Sequence, residues 1–177
     1  TDVPRFTQRR FKKKRKEKLQ FDIRKIDKNT WRYFSKYHYL SDRLPCGRCF
    51  YYGLFEGDNQ IGFQCFTNYM PKRKGEHWTY HSNRTVIHPD YAGLGLGIKL
   101  IDESSRLMRE EHRRARIMAC FSSIPVYKAM VKSPVWRLLK ANRVLGDRAR
   151  TTGRKMQRGK GSFRDRGVVS FSFEYIG

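Results

Sequence analysis

Ile87-His88-Pro89-Asp90-Tyr91-Ala92-Gly93-Leu94-Gly95-Leu96-Gly97-Ile98 is the stretch that decides the fold of this chain. A β-forming run, residues 77–89 (HWTYHSNRTVIHP), ends inside it at a proline. A turn follows, with glycine at 93, 95 and 97. An apolar period then starts, and a helix is expected over 97–113 with Leu100, Ile101, Leu107 and Met108 as its buried stripe. Glycines let the main chain approach a ligand and turn its N–H groups to one side. The start of a helix adds partial positive charge. Together they make a cradle for a pyrophosphate. The spacing G-x-G-x-G is not the dinucleotide fingerprint G-x-G-x-x-G, and the strand before it is not the first of the chain. A Gly-Lys-Ser/Thr is missing, so a P-loop is excluded. Coenzyme A is the third diphosphate ligand that fits.

The flanks read as follows. Phe21 to Ile26 alternates apolar and polar residues, as a half-buried strand does. Thr30 is expected to cap a helix that places Trp31, Phe34 and His38 on one face. Residues 48–56 and 60–70 are aromatic-rich strands joined at Gly57-Asp58-Asn59, a hairpin pattern. A strand is expected at 116–121, a short helix at 122–131, and further strands at 136–145 and 168–176. This order defines a mixed α+β domain: a mostly antiparallel sheet of six to seven strands flanked by helices.

At 177 residues the chain is long enough for one domain with its own core. No apolar run approaches the roughly 20 residues that a membrane-spanning helix needs, and no apolar stretch follows the basic N-terminus as a secretory leader would require. Cysteines at 46, 49, 65 and 120 are too few for a disulfide scaffold, so a cytoplasmic setting is expected. Cys46-Gly47-Arg48-Cys49 is a lone C-x-x-C without a second pair, and no metal site is assigned to it.

Thirty-nine Lys and Arg against 16 Asp and Glu leave a formal charge of +23. Residues 1–20 hold nine basic and two acidic side chains, and residues 143–167 hold nine and two again. The first segment, with Arg9, Arg10, Lys12, Lys13, Lys14 and Arg15, reads as a basic N-terminal arm. The second, with Arg148, Arg150, Arg154, Lys155 and Arg158 among five glycines, reads as a basic loop inside the domain at 21–177. Such segments follow a phosphate backbone without reading sequence. The expected partner is nucleic acid, DNA or RNA, and no membrane partner is expected.

Arg84 to Leu100 (RTVIHPDYAGLGLGIKL) resembles motif A of the GNAT (GCN5-related) N-acetyltransferase superfamily. The order of elements from residue 21 onward is similar to that family's. Lys36-Tyr37-His38-Tyr39-Leu40-Ser41, Pro89-Asp90-Tyr91, Ser133-Pro134-x-Trp136 and Ser172-Phe173-Glu174-Tyr175 resemble a bacterial and phage branch found fused to or near ABC-type ATPases. The superfamily also includes phage Mom-type proteins that modify DNA bases. The resemblance implies acetyl-CoA, or another acyl-CoA, as cofactor, a bacterial or phage-infected cell as the setting, and an ABC-type ATPase as a possible partner. It implies that the backbone at Thr85, Val86 and Ile87 bonds the pantetheine arm. It also implies that Ala92, Gly93, Leu94, Gly95, Leu96, Gly97 and Ile98 hold the pyrophosphate. One departure is that the motif's Arg or Gln falls on Ala92.

Ser122 and Ser123 occupy the region where the family carries an asparagine beside the cofactor. Tyr127 is the nearby tyrosine for protonating the leaving thiolate, although it comes early in the register. His38 is the candidate base toward the attacking amine, with Tyr39 beside it, because histidine titrates near neutrality. His81 and Arg84 on the central strand are weaker candidates, Arg84 toward substrate or nucleic acid. Three functions compete at this stage. They are an acyltransferase acting on or beside nucleic acid, a Mom-like base modification without acetyl transfer, and a nucleic-acid-binding protein with a vestigial cofactor site.

Overall fold

A computed structural model describes residues 20–38, 43–68, 77–143 and 169–177. Seven strands form one sheet in the order β1-β2-β3-β4-β5-β7-β6. These are β1 (Phe21–Lys25), β2 (Cys49–Glu56), β3 (Asn59–Asn68), β4 (Thr79–Ile87), β5 (Arg116–Phe121), β6 (Trp136–Arg143) and β7 (Val169–Tyr175). Every neighbouring pair is antiparallel except β4 and β5. The helices are α1 (Trp31–Phe34), α2 (Leu96–Glu111) and α3 (Ile124–Val131). The mixed α/β architecture read from the sequence is the one observed. No described helix is long and apolar enough to cross a membrane.

The crossover from β4 to the parallel β5 demands a helix, and α2 supplies it. Its buried residues, Leu96, Leu100, Ile101, Ser104, Ser105 and Met108, recur at helical spacing. Its outer face is laced by Arg106, which reaches Glu103 at 2.9 Å and Glu110 at 2.5 Å. The expected stripe omitted the two serines. Ser104 is tolerated in the core because its hydroxyl donates to the Leu100 carbonyl at 2.5 Å. The helix ends at His112, short of residue 113, where the backbone leaves the helical region (φ −122°, ψ 63°).

Gly62 lets α2 lie close to the sheet. A Cβ there would meet Ile87 Cδ1 at 2.9 Å, Leu54 Cβ at 3.0 Å and Leu100 Cδ2 at 3.2 Å. A separate cluster of Trp31, Phe34, Phe63, Cys65 and Val86 is buried beneath α1. Burying a side chain of that size stabilises the fold by about 2 kcal/mol.

The helical segment around α1 differs from the expectation. It is extended by 3-10 turns at Lys28–Thr30 and Ser35–Tyr37. Asp27 caps it, accepting from the Asn29 amide at 2.7 Å. Thr30 instead donates its hydroxyl to the Asp27 carbonyl at 3.0 Å. An ionised carboxylate one turn earlier is a stronger acceptor for a helix start than the threonine hydroxyl.

Candidate active site

The site opens where β4 and β5 part. They pair only from Thr79 with Arg116 to Ser82 with Ala119, although β4 runs on to Ile87 and β5 to Phe121. From Met118 onward β5 is paired with β7 on its other edge. A bulge in β4 sets the divergence: Cys65 faces Arg84 and Phe66 faces Ser82, so Asn83 has no partner on β3. Between the arms lies a cleft of about 620 Å³, within the usual range for small-molecule sites. From Asn83 to Ile87 the edge of β4 toward β5 has no strand partner, so its main-chain groups face the cleft.

The cradle closes one end. His88 Nδ1 accepts from the Asp90 amide at 3.4 Å, and Pro89–Tyr91 forms a 3-10 turn. Gly93 and Gly95 have φ of 78° and 74°, and a Cβ on either would meet nothing within 4 Å. Backbone conformation, not crowding, calls for glycine there. Gly95 caps α2 without a side chain, and no acid lies in the first helical turn. The amides of Leu96 and Gly97 are thus left for an anion, with the helix dipole behind them, whereas the Ile98 amide, expected at the pyrophosphate, donates to the Gly95 carbonyl at 3.1 Å. Tyr91 braces this loop by donating to Glu56 Oε2 at 2.5 Å. Burial, helped by that carboxylate, pushes its phenol up to about 12.

Most residues expected at the cofactor converge here. Thr85, Ile87, Ala92, Gly93, Gly95, Leu96, Gly97, Ile98, Ser122 and Ser123 all line the cleft, and so does His38 from the end of the helical segment. The Trp31 ring meets His38 edge-on at 5.8 Å between centroids. Val86 points away, buried in the cluster beneath α1, and Leu94 is an exposed side chain of the loop. Tyr127 is stacked on Phe171 at 4.1 Å and packed against the core, away from the cleft lining. Arg84 donates to the Arg43 carbonyl at 3.1 Å and to Asn83 Oδ1 at 2.7 Å, which fixes it beside the bulge. His81 is largely buried; burial and then Arg116 hold its imidazole below the usual range. Tyr39 and the basic residues Arg9, Arg10, Lys12, Lys13, Lys14, Arg15, Arg148, Arg150, Arg154, Lys155 and Arg158 lie outside the described residues.

Other lining residues carried no signal of their own in the sequence. α3 turns Pro125, Val126 and Ala129 to the cleft, and β5 contributes Cys120 and Phe121. The protic groups on that wall are therefore Cys120, Ser122 and Ser123. Beneath β4 lies a buried polar network. Gln64 Nε2 donates to Ser82 Oγ at 2.9 Å, and Thr85 Oγ1 donates to Gln64 Oε1 at 2.5 Å. Ser82 and Thr85 both reach the cleft. The clue was Gln64 inside QIGFQCF, where an apolar strand had no other use for an amide.

An unacidic cradle of main-chain donors, continued by a channel walled with Ile87, Ile98, Ile101, Phe121 and Val126, fits a diphosphate joined to a long arm of amides and methylenes. The fold and cleft are those of an acyl-CoA-using transferase. The sequence profile described as the Acetyltransferase (GNAT) family matches residues 18–130. The chain belongs to the GNAT acetyltransferase family.

Solved structures share the fold at low identity. The ribosomal-protein-S18-alanine N-acetyltransferase from Escherichia coli has a TM-score of 0.58 at 11% identity, covering 88% of this chain and 93% of that one. Arabidopsis thaliana NAA60 in complex with a bisubstrate analogue has 0.59 at 13%, covering 89% and 99%. A Bacillus subtilis acetyltransferase in complex with CoA has 0.56 at 12%, covering 90% and 99%. No curated protein sequence matches this chain.

Proposed function

We propose that this acetyltransferase acts on an amine carried by nucleic acid or held beside it: an amine of a modified base, a tRNA-linked amine, or a nucleic-acid-bound protein. The observation behind this is a cleft for an anionic cofactor in a chain of net charge +23. A small neutral acceptor has no use for that field, whereas a polyanion is drawn by it.

Acetyl-CoA, held in this cleft, would supply a thioester as acetyl donor to an amine. The unpaired edge of β4 from Asn83 to Ile87 holds an amide-bearing arm in β fashion. The amides at the start of α2 hold the diphosphate. The apolar walls exclude water. His38, at the acceptor mouth, takes the proton from the attacking amine. Ser122 and Ser123, which also line the cleft, would give a proton to the leaving group in place of Tyr127, whose ring is stacked on Phe171.

The alanine at position 92 favours a second reading, a Mom-like modification of DNA bases without acetyl transfer, since the family's side-chain contact to the cofactor is missing there. An ABC-type ATPase partner rests on the sequence resemblance alone.

Purified protein incubated with radiolabelled acetyl-CoA and, in turn, DNA, tRNA and protein fractions tests the proposal. Label is expected in nucleic acid or in a nucleic-acid-bound fraction. Label on free small amines only overturns it. Modified nucleosides in DNA from expressing cells without acetyl-CoA turnover select the Mom-like reading.

A further inference from the structure

We infer that the outward face of the helical segment at residues 28–37 is a docking surface for a single nucleic-acid strand. Tyr33 is the platform for an unpaired base, and Lys28, Arg32 and Lys36 are the phosphate contacts. The inference rests on the nucleic-acid reading above and gives it a place on the molecule.

The segment has two sides. Trp31 and Phe34 are 6% and 3% exposed and anchor it to the sheet. Tyr33, between them in sequence, is 73% exposed, more than any other large hydrophobic side chain among the described residues. A phenol ring standing in water gains nothing for the fold. Lys28, Arg32 and Lys36, from the same short segment, are all exposed too.

Five cations elsewhere on the domain are matched to acids: Arg24 to Asp22, Lys25 to Glu111, Arg106 to Glu103 and Glu110, Arg116 and Arg137 to Glu174. None of the three on this face pairs with an acid among the described residues. Residues 28–37 hold no acid, and Asp27 just before them is engaged by the Asn29 amide. Cations without acidic partners on the same short segment as a bare aromatic ring suit a phosphate strand whose bases have free faces. In a duplex those faces are covered, and an acidic peptide offers nothing to the ring.

The face also leads to the chemistry. Lys36 Nζ lies 4.9 Å over the Tyr37 ring. The Tyr37 hydroxyl is 3.3 Å from His88 Nε2, which joins the segment to the loop that begins the cradle. The next residue, His38, lines the cleft. A strand lying along this face therefore arrives at the acceptor mouth.

Fluorescence anisotropy of the full chain with a labelled 20-nucleotide thymidine strand, over a range of salt, tests the inference. Tyr33→Ala should weaken binding about tenfold, the loss of one stacked base, with the salt slope unchanged. Tyr33→Phe should bind as the parent does. Lys28→Ala, Arg32→Ala and Lys36→Ala should each lower the salt slope by about one. Coenzyme A binding, by calorimetry, should stay constant in all of them and shows that each variant is folded. Parental affinity and slope in all these variants would overturn the docking face while leaving the nucleic-acid reading intact. A duplex bound as tightly as the single strand also overturns it. A parent protein that binds no strand at low salt sinks the nucleic-acid reading itself.

Discussion

The carboxamide nitrogen of Gln64, a side chain with no solvent exposure, lies 2.9 Å from the hydroxyl of Ser82, the last residue of β4 paired to β5. The other end of the same amide accepts from Thr85. One buried group thus sets two hydroxyls at the point where the sheet divides. Ser82 accepts from the amide and Thr85 gives its proton to it, which leaves the Ser82 proton directed at the Thr85 oxygen 3.3 Å away. Gln64→Glu should preserve both bonds only while the new carboxyl is protonated. Burial raises the pKa of such a group. Turnover of this variant should therefore fall on the alkaline side, where the parent's does not, with coenzyme A affinity little changed. A pH–rate profile with the parent's shape shows that the hydroxyls are not steered by residue 64.

Ala92 lines the cleft where the family carries an arginine or glutamine. Ala92→Arg should tighten coenzyme A binding about tenfold, the value of one charge-assisted hydrogen bond to phosphate. Titration calorimetry measures this. No gain means that the diphosphate does not pass beside residue 92.

Gly95 separates backbone strain from charge. With φ at 74° and open space for a Cβ, Gly95→Ala should cost about 1 kcal/mol of stability and keep activity. Gly95→Glu adds a carboxylate at the amides that hold the anion. It should abolish acetyl transfer while nucleic-acid affinity stays nearly intact. Joint loss of both would mean that the cradle holds a phosphate of the polyanion.

Acid should destabilise the domain in two steps. The folded His81 imidazole titrates below its ordinary 6.5, mainly through burial. The unfolded chain then binds that proton more tightly, so stability is intact above about pH 6.5 and declines as the pH falls below it. Glu174 is held below its ordinary 4.5 by hydrogen bonds from Arg116 and then Arg137, at 2.9 and 2.7 Å. Its contribution is present above about pH 4.5 and is lost as the pH falls through the folded value. Denaturant midpoints between pH 7.5 and 3.5 should fall in both windows. His81→Gln should reduce the upper step, to which His112, also held below 6.5 mainly by burial, contributes, and Glu174→Gln should flatten the lower one, with about 2 kcal/mol lost at neutral pH in the latter.

The architecture was legible because each part of it carries a local code. Period two marks β1, glycine turns mark the β2–β3 hairpin, and the apolar spacing of Leu100, Ile101 and Met108 marks α2. The loop before α2 was legible for the same reason: Gly93 and Gly95, between a strand and a helix, constrain the backbone on their own, while Gly97 falls inside the helix. What could not be read depends on pairing across the sheet. The bulge at Asn83 arises from register with β3, and nothing in Asn83 itself announces it. Whether Tyr127 faces the cleft or Phe171 is decided by the rotation of α3, which Pro125 starts and β7 completes. The cap fell to Asp27 instead of Thr30 because a 3-10 turn was added before α1.

The brief parallel contact between Thr79–Ser82 and Arg116–Ala119 is also the seam between two half-sheets, β1 to β4 on one side and β5, β7 and β6 on the other. A molecule lodged past the end of that seam touches both halves and acts as a clasp. Coenzyme A should then raise the melting temperature in step with its concentration, and slow hydrogen exchange across Ile87 and Phe121 more than at the β2–β3 turn.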